Sequence, residues 1–304
     1  MLIITSCSST KRVSVPAALC AARYRSSTPD AFARTWVRNV RAASDLYAAR
    51  DVYGGPAVAS AAKAARTLDC DLYFVSAGMS LVDGDEAIPG YDLTVSSHSA
   101  SAPAPLRVGS TTPRDWWVAL NKAYGVSNPF AAALRKHRGL ILMALPGTYL
   151  RMVEPDLLAL TAANRKRLRL VTIGRTALAA DLLPQVIKYD ARLDSLDGAP
   201  QGTQSSAVQR ALVHFSSLLR SRPEAVDTDV QREWVSDALS SALARTCPSR
   251  LVQTDSEIAK WIRKQDPGSE LAQSKLLRML RADGYACEQK RFRRIAELTR
   301  AQAQ

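Results

Sequence analysis

Two stretches near the amino terminus contain the residues whose types and spacing could support chemistry. SCSSTK at 6–11 is a run of small, mostly hydroxyl residues that ends in a lysine, and DGDEAIPGYD at 83–92 holds four carboxylates beside a tyrosine. Backbone N–H groups and hydroxyls at a strand–loop–helix turn bind anions. A carboxylate near an anomeric carbon stabilises the positive charge that develops on the sugar when a glycosidic bond breaks. Together the stretches predict a phosphate or sugar loop beside a carboxylate that acts on an N-glycosidic bond.

Asp92 is the best candidate for that carboxylate. Pro89 and Tyr91 restrict its position in the chain, whereas Asp85 and Glu86 follow a glycine and are equally typical of a solvated turn. We therefore predict that Asp92 is catalytic and that Glu86 assists it, with the solvated turn as the alternative for Glu86.

A third candidate carboxylate, Asp190, occurs much later in the chain. Asp190 and Arg192 open the long polar loop DARLDSLDGAPQGTQ at 190–204, which could meet the first site across a sheet. The alternative is a surface salt bridge, which contributes little to stability.

Four apolar segments are the strands that must position these residues. They are LIITS at 2–6, DLYFVSA at 71–77, GLILMALP at 139–146 and RLRLVTIG at 167–174, and helical patterns lie between them. In an open α/β sheet, ligands bind beyond the carboxyl ends of the strands. The pattern therefore predicts an α/β fold with an open, mostly parallel sheet, and both polar loops at one edge of it.

Several kinds of site lack their signatures. The GxxxxGK[ST], GxGxxG and GxSxG motifs are absent. The five cysteines form no CxxC pair and there are only three histidines, so we predict no metal and no cofactor. Scattered thiols are typical of a reducing cytoplasm. We also predict no signal peptide and no membrane span, because no apolar stretch approaches about 20 residues.

The chain is strongly basic, with a formal net charge of +13 and a pI near 9.8. Such a surplus attracts polyanions, so nucleic acid is the first partner to consider. A merely basic soluble protein is the alternative. NRKRLR at 164–169 and KRFRR at 290–294 are basic clusters, and Phe292 in the second suits stacking next to phosphate contact. A solvated helix face is the alternative for both clusters.

After Pro223 the pattern becomes helical, which predicts two domains, 1–222 and 223–304. A helix, a short break, a second helix and a basic tail are typical of a helix-turn-helix or winged-helix module. The residues predicted to contact DNA in this module are Lys275, Arg278, Lys290, Arg291, Arg293 and Arg294.

Three segments, LIITSCSSTK at 2–11, ARDVYGGPAVASAAKAA at 49–65 and DLYFVSAGMSLVDGDEAIPGYDLT at 71–94, resemble a Rossmann-like family of prokaryotes and phages. That family is distantly related to nucleoside deoxyribosyltransferases. The resemblance covers roughly the first third of the chain. It implies a Rossmann-like sheet and chemistry at an N-glycosidic bond. The substrate-binding residues that it and the adjoining loop positions indicate are Ser6, Ser8, Ser9, Thr10, Lys11, Tyr53, Ser76, Gly78 and Tyr91.

With its basic charge and helical module, the whole chain also resembles the bacteriophage replication inhibition DNA glycosylases, which remove glucosylated hydroxymethylcytosine from phage DNA. The resemblance implies anti-phage defence by an enzyme that flips its target nucleotide and leaves an abasic site, with Tyr53 and Tyr91 stacking on or hydrogen bonding to the base. The alternatives are a nucleosidase or deoxyribosyltransferase that acts on free metabolites, and a non-catalytic DNA-binding regulator. The sequence does not indicate the oligomeric state.

Overall fold

The computed structural model describes residues 1–26, 28–223, 227–244 and 250–301. The chain forms two compact units, Met1–Arg245 and Thr246–Gln304. None of the helices in the described ranges is long and apolar enough to cross a membrane.

The strands in the described ranges are β1 (Leu2–Ser6), β2 (Tyr47–Ala48), β3 (Asp71–Ser76), β4 (Ser80–Asp83), β5 (Ala87–Ile88), β6 (Ile141–Ala144), β7 (Leu168–Ile173), β8 (Val186–Tyr189), β9 (Leu251–Val252) and β10 (Tyr285–Ala286). Six strands of the first unit form one sheet in the order β4-β3-β1-β6-β7-β8. Neighbouring strands are parallel except β3 and β4, which form an antiparallel hairpin. The predicted mostly parallel α/β sheet is therefore confirmed.

Helices cover both faces of this sheet. The helices of the chain are α1 (Pro29–Arg41), α2 (Ala49–Val52), α3 (Pro56–Leu68), α4 (Ala104–Arg107), α5 (Pro113–Tyr124), α6 (Pro129–Lys136), α7 (Gly147–Leu158), α8 (Ala162–Lys166), α9 (Ala207–Ser221), α10 (Thr228–Ser240), α11 (Asp255–Gln265), α12 (Gln273–Ala282) and α13 (Gln289–Ala301). One core contains residues of α1, α5 and α7, and the other contains residues of α3, α9 and α10. These two layers explain why β1 is buried along its whole length, as a central parallel strand should be.

Helix α10 belongs to the first unit, beyond the predicted boundary between residues 222 and 223. Val235 and Leu239 of α10 lie in the core of that unit. In addition, Gln231 of α10 accepts a hydrogen bond from the buried Arg169 of β7. The apolar face of α10 thus completes the core that also contains residues of α3 and α9, and the second unit begins after it.

The second unit has its own small core around Ile258, Leu276 and Phe292. Its helices α11, α12 and α13 confirm the predicted helical module. The two-residue strands β9 and β10 pair in parallel, so residues 250–301 hold no antiparallel hairpin of the kind that forms a wing. The helix-turn-helix arrangement stays a prediction.

Candidate functional site

The order of the strands reverses at β1, and this places a candidate site at its carboxyl end. From β1 the chain crosses to β3 on one side, and from β3 it crosses back to β6 on the other side. Open sheets of this kind bind ligands in the crevice that such a reversal opens. Cys7 follows β1 and Tyr149 lies in the first turn after β6, with 3.4 Å between the Cys7 Sγ and the Tyr149 hydroxyl.

Lys11 closes the loop that follows β1. With Cys7, Tyr149, Asp92 and Ser101 it forms the group of residues that we call the cluster. Its ammonium donates a hydrogen bond to the carbonyl of Ser8 and lies 4.4 Å from the centroid of the Tyr91 ring. Burial lowers the pKa of Lys11, while the neighbouring Cys7 and Asp92 act in the opposite direction. Tyr91 is the residue before Asp92, so Lys11 and Asp92 come from neighbouring parts of the structure.

Ser8 holds the loop in shape. Its hydroxyl donates to the carbonyl of Thr10 over 2.7 Å and accepts the N–H of Gly54 over 3.2 Å. Both bonds are internal, which differs from the predicted role of Ser8 in binding substrate. Ser9 and Thr10 are the exposed residues of the loop, whereas Ser6 is buried at the end of β1.

Asp92 is half-buried, and its backbone is held on both sides. Its N–H donates to the carbonyl of Leu19 over 2.8 Å, and its carbonyl accepts from Ala21 over 2.9 Å. The carboxylate accepts a hydrogen bond of 2.6 Å from the Ser101 hydroxyl. Ser101 comes from the loop beyond Asp92 and had no sequence motif to mark it.

A row of buried hydroxyls lies beneath the cluster. The Tyr91 hydroxyl is 3.0 Å from that of Tyr53 and 2.7 Å from that of Ser76. Ser76 also accepts the N–H groups of Gly78 and Met79, which ties the row to the β3–β4 turn. Burial raises the pKa of both tyrosines, so they stay neutral.

These buried residues correct part of the predicted site. Tyr53, Tyr91 and Ser76 have no exposed surface, so neither ring offers a free face to a base. Gly78 is also buried, and a Cβ there would lie 2.9 Å from the ring of Tyr91. The backbone carbonyl of Gly78 accepts from Trp36 over 2.8 Å. These four residues form the framework beneath the site, because close packing leaves no space for a ligand among them.

Glu86 lies at the opposite edge of the sheet. Strand β4 runs back along β3, so that Asp83 pairs with Tyr73, three residues before Ser76. At about 3.3 Å per residue, this is roughly 10 Å from the carboxyl end of β3. Glu86 follows in the next turn, where its carbonyl accepts the N–H of Ala49. The antiparallel hairpin thus separates Glu86 from Asp92, which corrects the predicted pairing of the two.

Asp190 is also remote from the cluster. It follows β8, which is three strands away from β1 in the sheet. Its carboxylate binds the Arg192 guanidinium at 2.8 Å, and this ion pair lowers the pKa of Asp190. The alternative of a surface salt bridge therefore describes Asp190, and it has no place in the site.

The arginines of the first basic cluster, at 164–169, form hydrogen bonds within the first unit. Arg165 donates to the carbonyls of Leu158 and Leu160, and Arg167 donates to that of Gly139. With Arg169 buried in β7, these three arginines join elements of the first unit, and Lys166 is the exposed cation of the cluster.

The second basic cluster divides into paired and exposed cations. Arg291 and Arg294 both form ion pairs with Asp255. Phe292 is 1% exposed and packs in the core of the second unit, so it cannot stack on a base. The remaining predicted contacts have exposed side chains: Lys275, Arg278, Lys290 and Arg293.

Besides Ser101, sequence reasoning missed Tyr149 and Cys7 as site residues. The position of Tyr149 just beyond the strand GLILMALP is the signal that could have found it, because the carboxyl end of a parallel strand is where such sites form. Within the described ranges, no three His, Cys, Asp or Glu side chains are grouped so as to hold a metal ion.

A large surface depression of about 800 Å³ lies at the other edge of the sheet, lined in part by Lys166, Gln185 and Asp227. It contains none of the residues around Lys11.

Compared with family models, with curated proteins and with solved structures, the chain matches none of them. The geometry of the cluster is therefore the basis for assigning a function.

Proposed function

We propose that this protein hydrolyses an N-glycosidic bond in DNA on a Rossmann-like core. The observation that carries the proposal is that the Lys11 ammonium lies 4.4 Å from the ring of Tyr91, the residue before Asp92, next to the reversal of strand order at β1. A carboxylate and an ammonium at this position can act on the two ends of a polarised glycosidic bond.

In the proposed reaction, the bond between C1′ of the deoxyribose and the base nitrogen breaks and its electron pair leaves with the base. Asp92 stabilises the positive charge on C1′ and orients the water that adds to it. One water proton goes to solvent and the base acquires a proton, which leaves an abasic site. Lys11 supplies positive charge to a phosphate oxygen or to the departing base.

The DNA would be held by the second unit. Residues 246–304 contain 12 of the 41 Lys and Arg residues and 7 of the 28 Asp and Glu residues, a net charge of +5. Lys275, Arg278, Lys290 and Arg293 are its exposed predicted contacts, and cations of this kind bind phosphates and release counterions. In this proposal the flipped nucleotide binds at the site in the first unit.

The proposed target is glucosylated hydroxymethylcytosine in phage DNA, which places the protein in anti-phage defence in the cytoplasm. The support for this choice is the resemblance to the bacteriophage replication inhibition glycosylases. The test is incubation of the full chain with DNAs that carry normal, hydroxymethylated or glucosylated cytosine. Mass spectrometry should detect a freed base from the glucosylated DNA, and alkali should cleave the abasic strand. Binding to DNA without release of base from any of the three would instead indicate a regulator.

Hydrolysis of free nucleosides is the second candidate, because Lys11, Asp92, Ser101 and Tyr149 all belong to the first unit. Charge reversal at Lys275, Arg278, Lys290 and Arg293 in the full chain separates the two functions. A DNA glycosylase should lose activity on DNA, and the loss of DNA affinity relative to the wild type should be largest at low salt, where phosphate contacts are screened least. Unchanged turnover of free nucleosides, together with no activity of the wild type on DNA, would favour the second candidate.

A further inference from the structure

The chain leaves Asp92, makes a short excursion and returns to it. The N–H of Thr94 donates to the carbonyl of Ser101 over 3.0 Å, which closes the segment 94–101 into a loop. Val95 and Ala102 are buried on either side of this closure. The loop is thus anchored at both ends, while its middle faces solvent.

Ser101 is itself held in place at the base of this loop. Its N–H donates to the hydroxyl of Ser99 over 3.2 Å, and the next N–H, of Ala102, donates to the carbonyl of Ser99 over 3.1 Å. With its backbone fixed on both sides, the Ser101 side chain has a defined direction, and that direction is toward Asp92.

The hydrogen bond from Ser101 to Asp92 is short. The Ser101 Oγ lies 2.6 Å from the Asp92 Oδ2, a length typical of a hydroxyl that donates to a charged carboxylate. The Asp92 backbone is already fixed by Leu19 and Ala21. The rotation of the carboxylate is therefore the remaining freedom of Asp92, and the Ser101 hydroxyl restricts it while engaging only one of the two oxygens.

We propose that Ser101 is a positioning residue for Asp92, which orients the carboxylate so that its second oxygen faces C1′ of the bound nucleotide. This inference rests on the proposed function. Ser101 makes no contact with the reacting atoms in this scheme, and it acts through Asp92 alone. A misoriented catalytic group slows the chemical step much more than it weakens substrate binding.

The test measures single-turnover base release and the Kd for DNA in the full chain with Ser101 changed to alanine or threonine. Ser101→Ala should lower the rate constant by about tenfold to a hundredfold, in line with the sensitivity of catalysis to small misplacements. The Kd should change little, and Ser101→Thr should restore much of the rate because it keeps the hydroxyl. Ser97→Ala, an exposed change in the same loop, is the matched control and should leave the rate unchanged.

A double mutant separates positioning from a general effect on the structure. In the Asp92→Asn background, Ser101→Ala should cause no further loss of the residual rate, because the two residues act as one unit. Additive losses, or a Ser101→Ala rate equal to that of an active wild type, would overturn the role of Ser101. A wild type that releases no base would overturn the proposed function itself, and with it the positioning role.

Discussion

Two parts of one short segment, DGDEAIPGYD at 83–92, end up at opposite edges of the same sheet. Asp83 and Glu86 lie in the hairpin at the amino end of β3, where Asp85 pairs with Arg50. Asp92 lies on the other side, where it follows Tyr91, whose ring lies 4.4 Å from the Lys11 ammonium, and it accepts a hydrogen bond from Ser101. The acidic turn holds more carboxylates, but it lies away from the carboxyl ends of the parallel strands and from the reversal of strand order. In a parallel sheet, the edge at which a residue lies thus decides its use more than the local density of charge.

The largest effect should come from exchanging carboxylate for amide at the two edges. We expect Asp92→Asn to lower base release by about 10³-fold, a typical loss when a group that stabilises developing charge is removed. Glu86→Gln should stay close to the wild-type rate. Base release is followed by mass spectrometry, and DNA binding by either variant should be nearly unchanged. An inactive Glu86→Gln with an active Asp92→Asn would reverse the comparison.

The next largest difference should come from removing one cation at each edge, Lys11 or Arg50, in separate variants. Lys11→Met should slow base release by about tenfold to a hundredfold, the equivalent of one lost hydrogen bond to a charged group. Arg50 pairs with Asp85 at the remote edge, so Arg50→Met should have no effect on the rate. The same single-turnover assay compares them, and equal rates for the two variants would remove Lys11 from the mechanism.

Two buried tyrosines extend the comparison to stability. Tyr91→Phe leaves the hydroxyls of Tyr53 and Ser76 without their shared partner, which should lower the free energy of unfolding by about 1–3 kcal/mol. Tyr73→Phe removes a contact of 3.4 Å to His137 and an interaction with Asp83, and because both of these partners are partly exposed it should cost less. Urea denaturation measures both. Only Tyr91→Phe should also slow base release, and a matching loss in Tyr73→Phe would show that the effect is not local.

The smallest effect concerns pH. Burial holds the pKa of Lys11 below the value of 10.5 that it has in the unfolded chain. Between these two values the unfolded chain binds more protons, so the free energy of unfolding should rise with pH through that window. The cost of burying the charge is fully present below the window and absent above it. Lys11→Met should flatten this rise, and Arg50→Met should preserve it. Urea titrations from neutral pH to above pH 10.5 provide the measurement.

The strands could be predicted from the sequence because each buried strand is a continuous apolar run. The same strands led us to predict the loop at 6–11 and Asp92 as parts of one site, which stays a prediction. Glu86 was misplaced because nothing in the sequence marks the reversal at Ala77–Met79 as the start of an antiparallel strand. A one-hairpin reversal moves a residue from one edge to the other without changing its local pattern.

The aromatic and hydroxyl residues were harder to assign. A tyrosine in a functional loop and a tyrosine in a core have the same sequence character, and only packing distinguishes them. Tyr53, Tyr91 and Phe292 all proved to be buried. Ser101 was missed for the opposite reason, since its importance comes from one hydrogen bond across a loop.

By itself, the sequence determined the mostly parallel sheet, the helical second unit and the basic charge, because apolar periodicity and composition are local properties of the chain. Only the tertiary structure decided which carboxylate lies beside Lys11, which hydroxyls are buried and which cations are free. Those outcomes depend on strand direction and on contacts between residues distant in the chain. Such contacts form when the layers pack together, and short-range patterns carry no record of them.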